Sequence, residues 1–271
     1  MSTLGTILKD NWEWRSQICR LAVFDLQKQS RGAVLSWAWL IIKPLTYLFC
    51  FWFALDVGLR AAREVPDPGG TPYILWLAAG IVPWFFMQKM LASGADVLHR
   101  YPYLVRKIKF PISAISSIYT LAQMIVHLML QAILLGIYFF CGQGLDIHLL
   151  QVPVLIVLMF LFWDVFSIGI SQLTALSKDV KNLIAALSTP FFWLSGVIFD
   201  ITAIPFDWVH TCLYFNPITS FVTAFRDVLY LKMWVWEDPM LCIGFGIVFL
   251  VTLVFAIFTY SRFSEEVSDA L

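Results

Sequence analysis

Long apolar runs constrain this chain more than any other feature. Six of them fall at about residues 34–57, 73–98, 112–141, 152–176, 183–199 and 240–260. A hydrocarbon core of about 30 Å is crossed by roughly 20 apolar residues in a helix. Peptide groups find no water there, so each crossing must satisfy its own hydrogen bonds, as a helix does. A membrane barrel would alternate polar and apolar residues at every second position, and these runs do not. Composition points the same way: 60% of residues are hydrophobic, 17% aromatic and only 13% charged, against about 25% charged in a soluble domain. A globule of 271 residues has too little interior for that much apolar surface. Soluble enzyme, nucleic-acid binder and disordered scaffold are poor readings. The expected fold is an all-α membrane protein with six transmembrane helices.

Lysine and arginine placement orients the spans. Lys9, Arg15, Arg20, Lys28 and Arg31 precede the first run; Arg100, Arg106, Lys107 and Lys109 follow the second; Lys178 and Lys181 follow the fourth; Arg262 follows the sixth. The alternate loops are poorer, with Arg60 and Arg63, none over 143–151, then Arg226 and Lys232. Both termini are expected in the cytoplasm. Residues 1–33 read as a cytoplasmic amphipathic helix on the membrane surface, with Ile7, Trp14, Ile18, Leu21 and Ala22 on one arc and Lys9, Glu13 and Arg20 opposite. A solvated helix is the plainer alternative. Residues 34–262 form the membrane domain and 263–271 a cytoplasmic tail. Residues 218–236 are apolar, but Arg226, Asp227 and Lys232 make a seventh crossing costly. They read as an amphipathic or re-entrant helical region on the outer face before the last span.

No catalytic constellation is visible, neither H-E-x-x-H nor G-x-S-x-G, and no phosphate-binding G-x-x-x-x-G-K-[ST] loop. Cys19, Cys50, Cys141, Cys212 and Cys242 are scattered without metal spacing. The chain therefore reads as a non-enzyme binding no cofactor or metal; ATP-driven work would need a nucleotide-binding partner. Polar residues inside the runs are few. Gln123, His127 and Gln131 recur at helical spacing on one face, suited to a wet cavity or to hydrogen bonds between helices. Asp164 lies near the middle of the fourth run and should face a partner helix, a dimer seam or a pathway. Aromatics crowd the first, second and fifth runs. Their faces pack on the C–H faces of sugars without demanding one sugar sequence, although lipid-facing belts are also rich in Trp and Tyr. In the basic loop after the second run, Leu104, Val105 and Ile108 alternate with Arg106, Lys107 and Lys109. That pattern suits a short helix seated in a partner's groove or an anchor to anionic headgroups.

Several ordered motifs resemble the membrane subunit of ABC-2 type exporters in the polysaccharide and polyol-phosphate branch. They are Phe24-Asp25-Leu26 with Arg31 to Leu35, Trp39 and Pro44-Leu45; Gly80 with Pro83-Trp84-Phe85-Phe86; Leu104 through Phe110-Pro111; Ser177-Lys178-Asp179-Val180; and Asn216-Pro217 with Arg226. Departures include Gln29-Ser30, Ser36, Lys43 where asparagine is usual, and Gly196 after Ser195 where proline is usual. The resemblance implies a half-transporter in the bacterial inner membrane. A second copy and two ATPase subunits carrying ATP and Mg would complete it. Leu104, Arg106, Lys107, Ile108 and Phe110 would be the ATPase-coupling element, with Lys178, Asp179 and Lys181 as a secondary contact. The cargo would be a lipid-linked polysaccharide or polyol-phosphate polymer passing Trp39, Tyr47, Trp84, Phe85, Gln123, His127, Phe191 and Trp193. A lipid or drug cargo, and an integral-membrane enzyme acting on lipid-linked sugars, are the alternatives.

Overall fold

A computed structural model describes residues 3–29, 36–59, 71–108 and 110–270. Among them the secondary structure is helical throughout. Two short helices, α1 (Thr3–Glu13) and α2 (Arg15–Gln29), lead into α3 (Trp39–Trp52), which continues as a wider turn to Gly58. The next helix, α4 (Tyr73–Lys89), widens similarly over Met90–Gly94. The short α5 (Val97–Arg100) and α6 (Pro102–Ile108) precede α7 (Ile112–Phe140). Then come α8 (Gln151–Leu176), α9 (Lys178–Leu194), α10 (Asp207–Tyr214), α11 (Pro217–Arg226, extended by Asp227–Leu231) and α12 (Pro239–Ala270).

Five helical segments are long and apolar enough to cross a membrane: Trp39–Gly58, Tyr73–Gly94, Ile112–Phe140, Ile147–Leu176 and Pro239–Ser268. The run expected at 183–199 folds differently. Its helix, α9, starts at Lys178 and stops at Leu194, 17 residues in all, about 26 Å at 1.5 Å per residue. Only Ser177, in extended conformation, separates it from α8. The charged stretch read as a loop is thus the first turn of α9. Residues 263–270 continue α12 as helix.

Contacts sort the helix ends into two groups. At one end Asp10 comes beside Ser113 and Tyr260, Trp14 packs edge-on against Phe110 at 4.6 Å, and Lys181 pairs with Asp96 at 2.7 Å. This end gathers α1, α2, the 96–111 stretch, the start of α9 and the far end of α12. At the other end the Gln151 amide bridges Met233 and Val235, and Asn216 donates to Ser195 Oγ at 2.7 Å. Helix α9 therefore runs from the first end, at Lys181, to the second, at Ser195. The arc of Ile7, Ile18 and Ala22 is buried because α1 and α2 pack on α7. The apolar groups that α1 leaves exposed are Leu4, Leu8 and Trp12.

Three helices carry a proline in their interior: Pro44 in α3, Pro83 in α4 and Pro190 in α9. Each removes an amide donor, so the carbonyls of Leu40, Ala79 and Ala186 lose their usual partners. Helices α8 and α12 touch along their length. Gly169 makes this possible, since a Cβ there would stand 2.9 Å from Ala256 Cα.

The second end is fastened by one buried cation. Arg226 donates from Nε to the Trp76 carbonyl (3.2 Å), from Nη1 to Gly196 (2.6 Å) and from Nη2 to Val197 (2.6 Å). Its guanidinium lies 3.5 Å from the centre of the Trp76 ring. Glycine is required twice around it. A Cβ on Gly80 would meet Nη2 at 2.6 Å, and Gly196 adopts φ +71° to turn its carbonyl toward Nη1. Desolvating a charge is costly unless it is fully hydrogen-bonded, and carbonyl dipoles supply that compensation here. Arg226→Met is expected to destabilise the fold by several kcal/mol, because each buried carbonyl it leaves unpaired costs about 1–3 kcal/mol. Arg226→Lys should recover only part, because an ammonium lacks the planar fork. A melting curve unchanged by both substitutions would show that the anchor contributes nothing.

Candidate functional site

Helices α3, α4, α7 and α9 enclose a cavity of about 610 Å³, within the range that holds a small-molecule-sized group. Six of the eight residues expected along a pathway line it: Trp39, Tyr47, Trp84, Phe85, Gln123 and His127. Phe191 and Trp193 do not; Phe192 takes their place. Successive helical residues point about 100° apart, and on α9 that phase turns Phe192 to the space and Phe191 and Trp193 away from it. Phe192 holds the wall together, with ring centroids 5.4 Å from both Phe51 and Trp84. His127 is 1% exposed and lies between Phe86 (5.9 Å) and Phe225 (6.1 Å). Gln131 is buried too, with neither amide atom hydrogen-bonded, and is not among the lining residues.

Residues absent from the sequence-based set also line the cavity, notably Lys43, Gln88, Lys89 and Gln29. Lys43 had a signal, its departure from the usual asparagine; Lys89 read only as the charged end of an apolar run. Asp164 faces a partner helix: Ser117 on α7 donates to its Oδ2 at 2.8 Å. It is not a lining residue.

The basic loop is built from inside. Leu104 is 1% exposed and Phe110 4%, and the Phe110 amide donates to the Leu104 carbonyl at 3.1 Å, closing the C-terminus of α6. Leu104 and Phe110 hold α6 against the protein, and Val105, expected with Leu104 and Ile108 to dock in a groove, is buried as well at 7% exposed. Tyr103 is the exposed apolar group on this helix, at 41%. The side chains of Arg106, Lys107 and Ile108, and all of Lys109, lie outside the described residues. Buried Tyr101 ties the loop to α2: burial first, and the neighbouring Asp25 carboxylate second, push its phenol far above the ordinary range, so it stays neutral. Asp25 in turn accepts from Gln29 Nε2 at 2.7 Å. Of the expected secondary contact, Lys178 and Asp179 are exposed while Lys181 is engaged by Asp96, which also holds His99 at 2.8 Å.

Trp14→Ala removes the ring that seats Phe110. Hydrogen exchange over 101–110 is expected to quicken by an order of magnitude or more, about 1.4 kcal/mol per tenfold, while the membrane helices keep their protection. Equal protection in both proteins would mean that Trp14 does not hold the loop.

The geometry is that of a helical membrane protein with an aromatic cavity and a basic, internally braced helix at one end. Residues 16–230 match the sequence family described as ABC-2 type transporter. No curated protein matches the chain. Since the matched stretch spans most of the 271 residues, the chain belongs to the ABC-2 type transporter family as a multi-pass membrane component that works with an ABC ATPase.

Proposed function

We propose that the chain is the permease half of an exporter that moves a lipid-linked polysaccharide or polyol-phosphate polymer out of a bacterial cytoplasm. Two copies pair in the inner membrane around the pathway, and two ATPase subunits, carrying ATP and Mg, dock at the end where α1, α2 and α6 meet. Each copy crosses six times, with α9 as the fifth crossing, and both termini are cytoplasmic. The exposed Leu4, Leu8 and Trp12 of α1 lie in the cytoplasmic leaflet, and α10–α11 is a re-entrant pair from the outer face. Closure of the ATPases pushes on α6 through Tyr103, Arg106, Lys107 and Ile108, with Lys178 and Asp179 as a second contact. Buried Leu104 and Phe110 pass that motion to α7 and α2.

The cavity carries this reading. Trp39, Tyr47, Phe51, Trp84, Phe85 and Phe192 converge on one space, and ring faces accept successive sugar units without reading their order. Helix α9 supports the six-span topology, because its Lys181 and Ser195 contact opposite ends of the bundle. Positive charge at the α1, α6 and α9 end supports a cytoplasmic placement for it.

Deleting the gene is expected to leave lipid-linked polymer inside the cell and to remove it from the surface. Unchanged surface polymer with a new sensitivity to a drug would move the cargo to that class. Trp84→Ala and Phe192→Ala are expected to lower export about tenfold or more, with ATP hydrolysis by the complex retained; each tenfold is about 1.4 kcal/mol. Wild-type export from the double variant would remove the aromatic wall from the pathway.

A further inference from the structure

Helix α9 is thinly held within the chain. Ser188 is its one buried residue, yet Phe192 on the same helix forms part of the cavity wall, against Phe51 and Trp84. Where lipid competes with apolar packing, polar contacts decide how helices sit against one another. At the inner end of α9 that contact is Lys181 with Asp96. Asp96 is the only carboxylate between residues 96 and 111, and each of its oxygens meets a different element. Oδ1 takes His99 of α5 at 2.8 Å, and Oδ2 takes Lys181 of α9 at 2.7 Å. Its side chain is 13% exposed, against 46% for Lys181, so water and salt screen this pair less than a fully exposed one. The backbone just before Asp96 is fixed from a third side, where Ser167 and Thr174 of α8 donate to the Gly94 and Ala95 carbonyls. The end of α4, the start of α5 and the inner part of α8 thus form one block, and Lys181 attaches α9 to it.

We infer that the Asp96–Lys181 pair is the link through which movement of the basic stretch reaches α9, and with it the cavity wall. The inference rests on the export reading and deepens it, by naming a route inside the chain from the ATPase end to the pathway. Asp96 and Lys181 are positioning residues, since neither lines the cavity. His99 holds the carboxylate to α5, so the oxygen that grips Lys181 travels with the helix that precedes α6. Phe192 stands eleven residues beyond Lys181 on α9, about 16 Å at 1.5 Å per residue. A small tilt at the foot of the helix is therefore a larger displacement at the wall. Without the pair, α5 and α6 move while α9 stays, and ATP is hydrolysed without transport.

The test sets surface polymer on cells against ATP hydrolysis in membranes from the same cells. Asp96→Asn and Lys181→Gln are each expected to lower the polymer exported per ATP hydrolysed about tenfold, an ordinary size for coupling between sites, with the ATPase subunits still bound. The double variant should lose no more than either single one, because both remove the same link; independent, additive losses overturn it. Charge reversal, Asp96→Lys with Lys181→Asp, and the conservative Lys181→Arg should each recover export, which a loss of folding would not allow. Release of the ATPase by Lys181→Gln would place Lys181 on the partner and overturn the link as well. Movement is read separately, from spin labels on Leu183 and Leu128, both exposed. ATP should shift their separation in the wild type and not in Lys181→Gln; an equal shift in both sinks the link alone. A wild-type chain that exports no polymer but shows the Lys181-dependent shift keeps the link and sinks the export reading.

Discussion

A bilayer offers the peptide group nothing to bond with, and several of the polar groups set into the apolar helices of this protein are answered by a specific partner. Arg226 meets carbonyls from Trp76, Gly196 and Val197. Asp164 meets Ser117, and Ser167 and Thr174 on α8 donate to the carbonyls of Gly94 and Ala95, where α4 ends. These contacts tie helices that apolar packing alone would leave free to slide, since lipid tails compete with any Leu–Leu contact. The loop after α9, helix α11 and the start of α4 all converge on the same guanidinium.

The cavity and the basic loop are joined through the protein by short routes. Phe110 rests on Trp14, Tyr101 sits by Asp25, and Gln29 both bonds Asp25 and reaches the cavity wall. A push on α6 therefore meets a braced unit of α1, α2 and α7, instead of a loose loop.

Five of the six expected spans were legible in the sequence because twenty-residue apolarity has few other physical causes. Boundaries failed where charge was taken as a mark of loops. Lys178, Asp179 and Lys181 belong to the first turn of a helix, where Lys181 is paired with Asp96. The cavity was half legible: aromatic residues announced a wall, but which of Phe191, Phe192 and Trp193 faces inward depends on a helix phase that no local pattern sets. Arg226 stood out as a charge, yet its carbonyl partners lie up to 150 residues away along the chain. Leu104 and Phe110 had the look of a docking edge, and only the packing of α1 and α2 against α7 turned them inward.

The placement of prolines gives the cavity a soft side and a stiff one. Helices α3, α4 and α9 each hold a proline mid-length, whereas α7 and α12 have none past their first residue and α8 has its proline in the opening turn. Broken carbonyl ladders flex more readily than complete ones. The opening can thus change its girth by hinging three staves at Pro44, Pro83 and Pro190 while the spine formed by α7, α8 and α12 keeps its register.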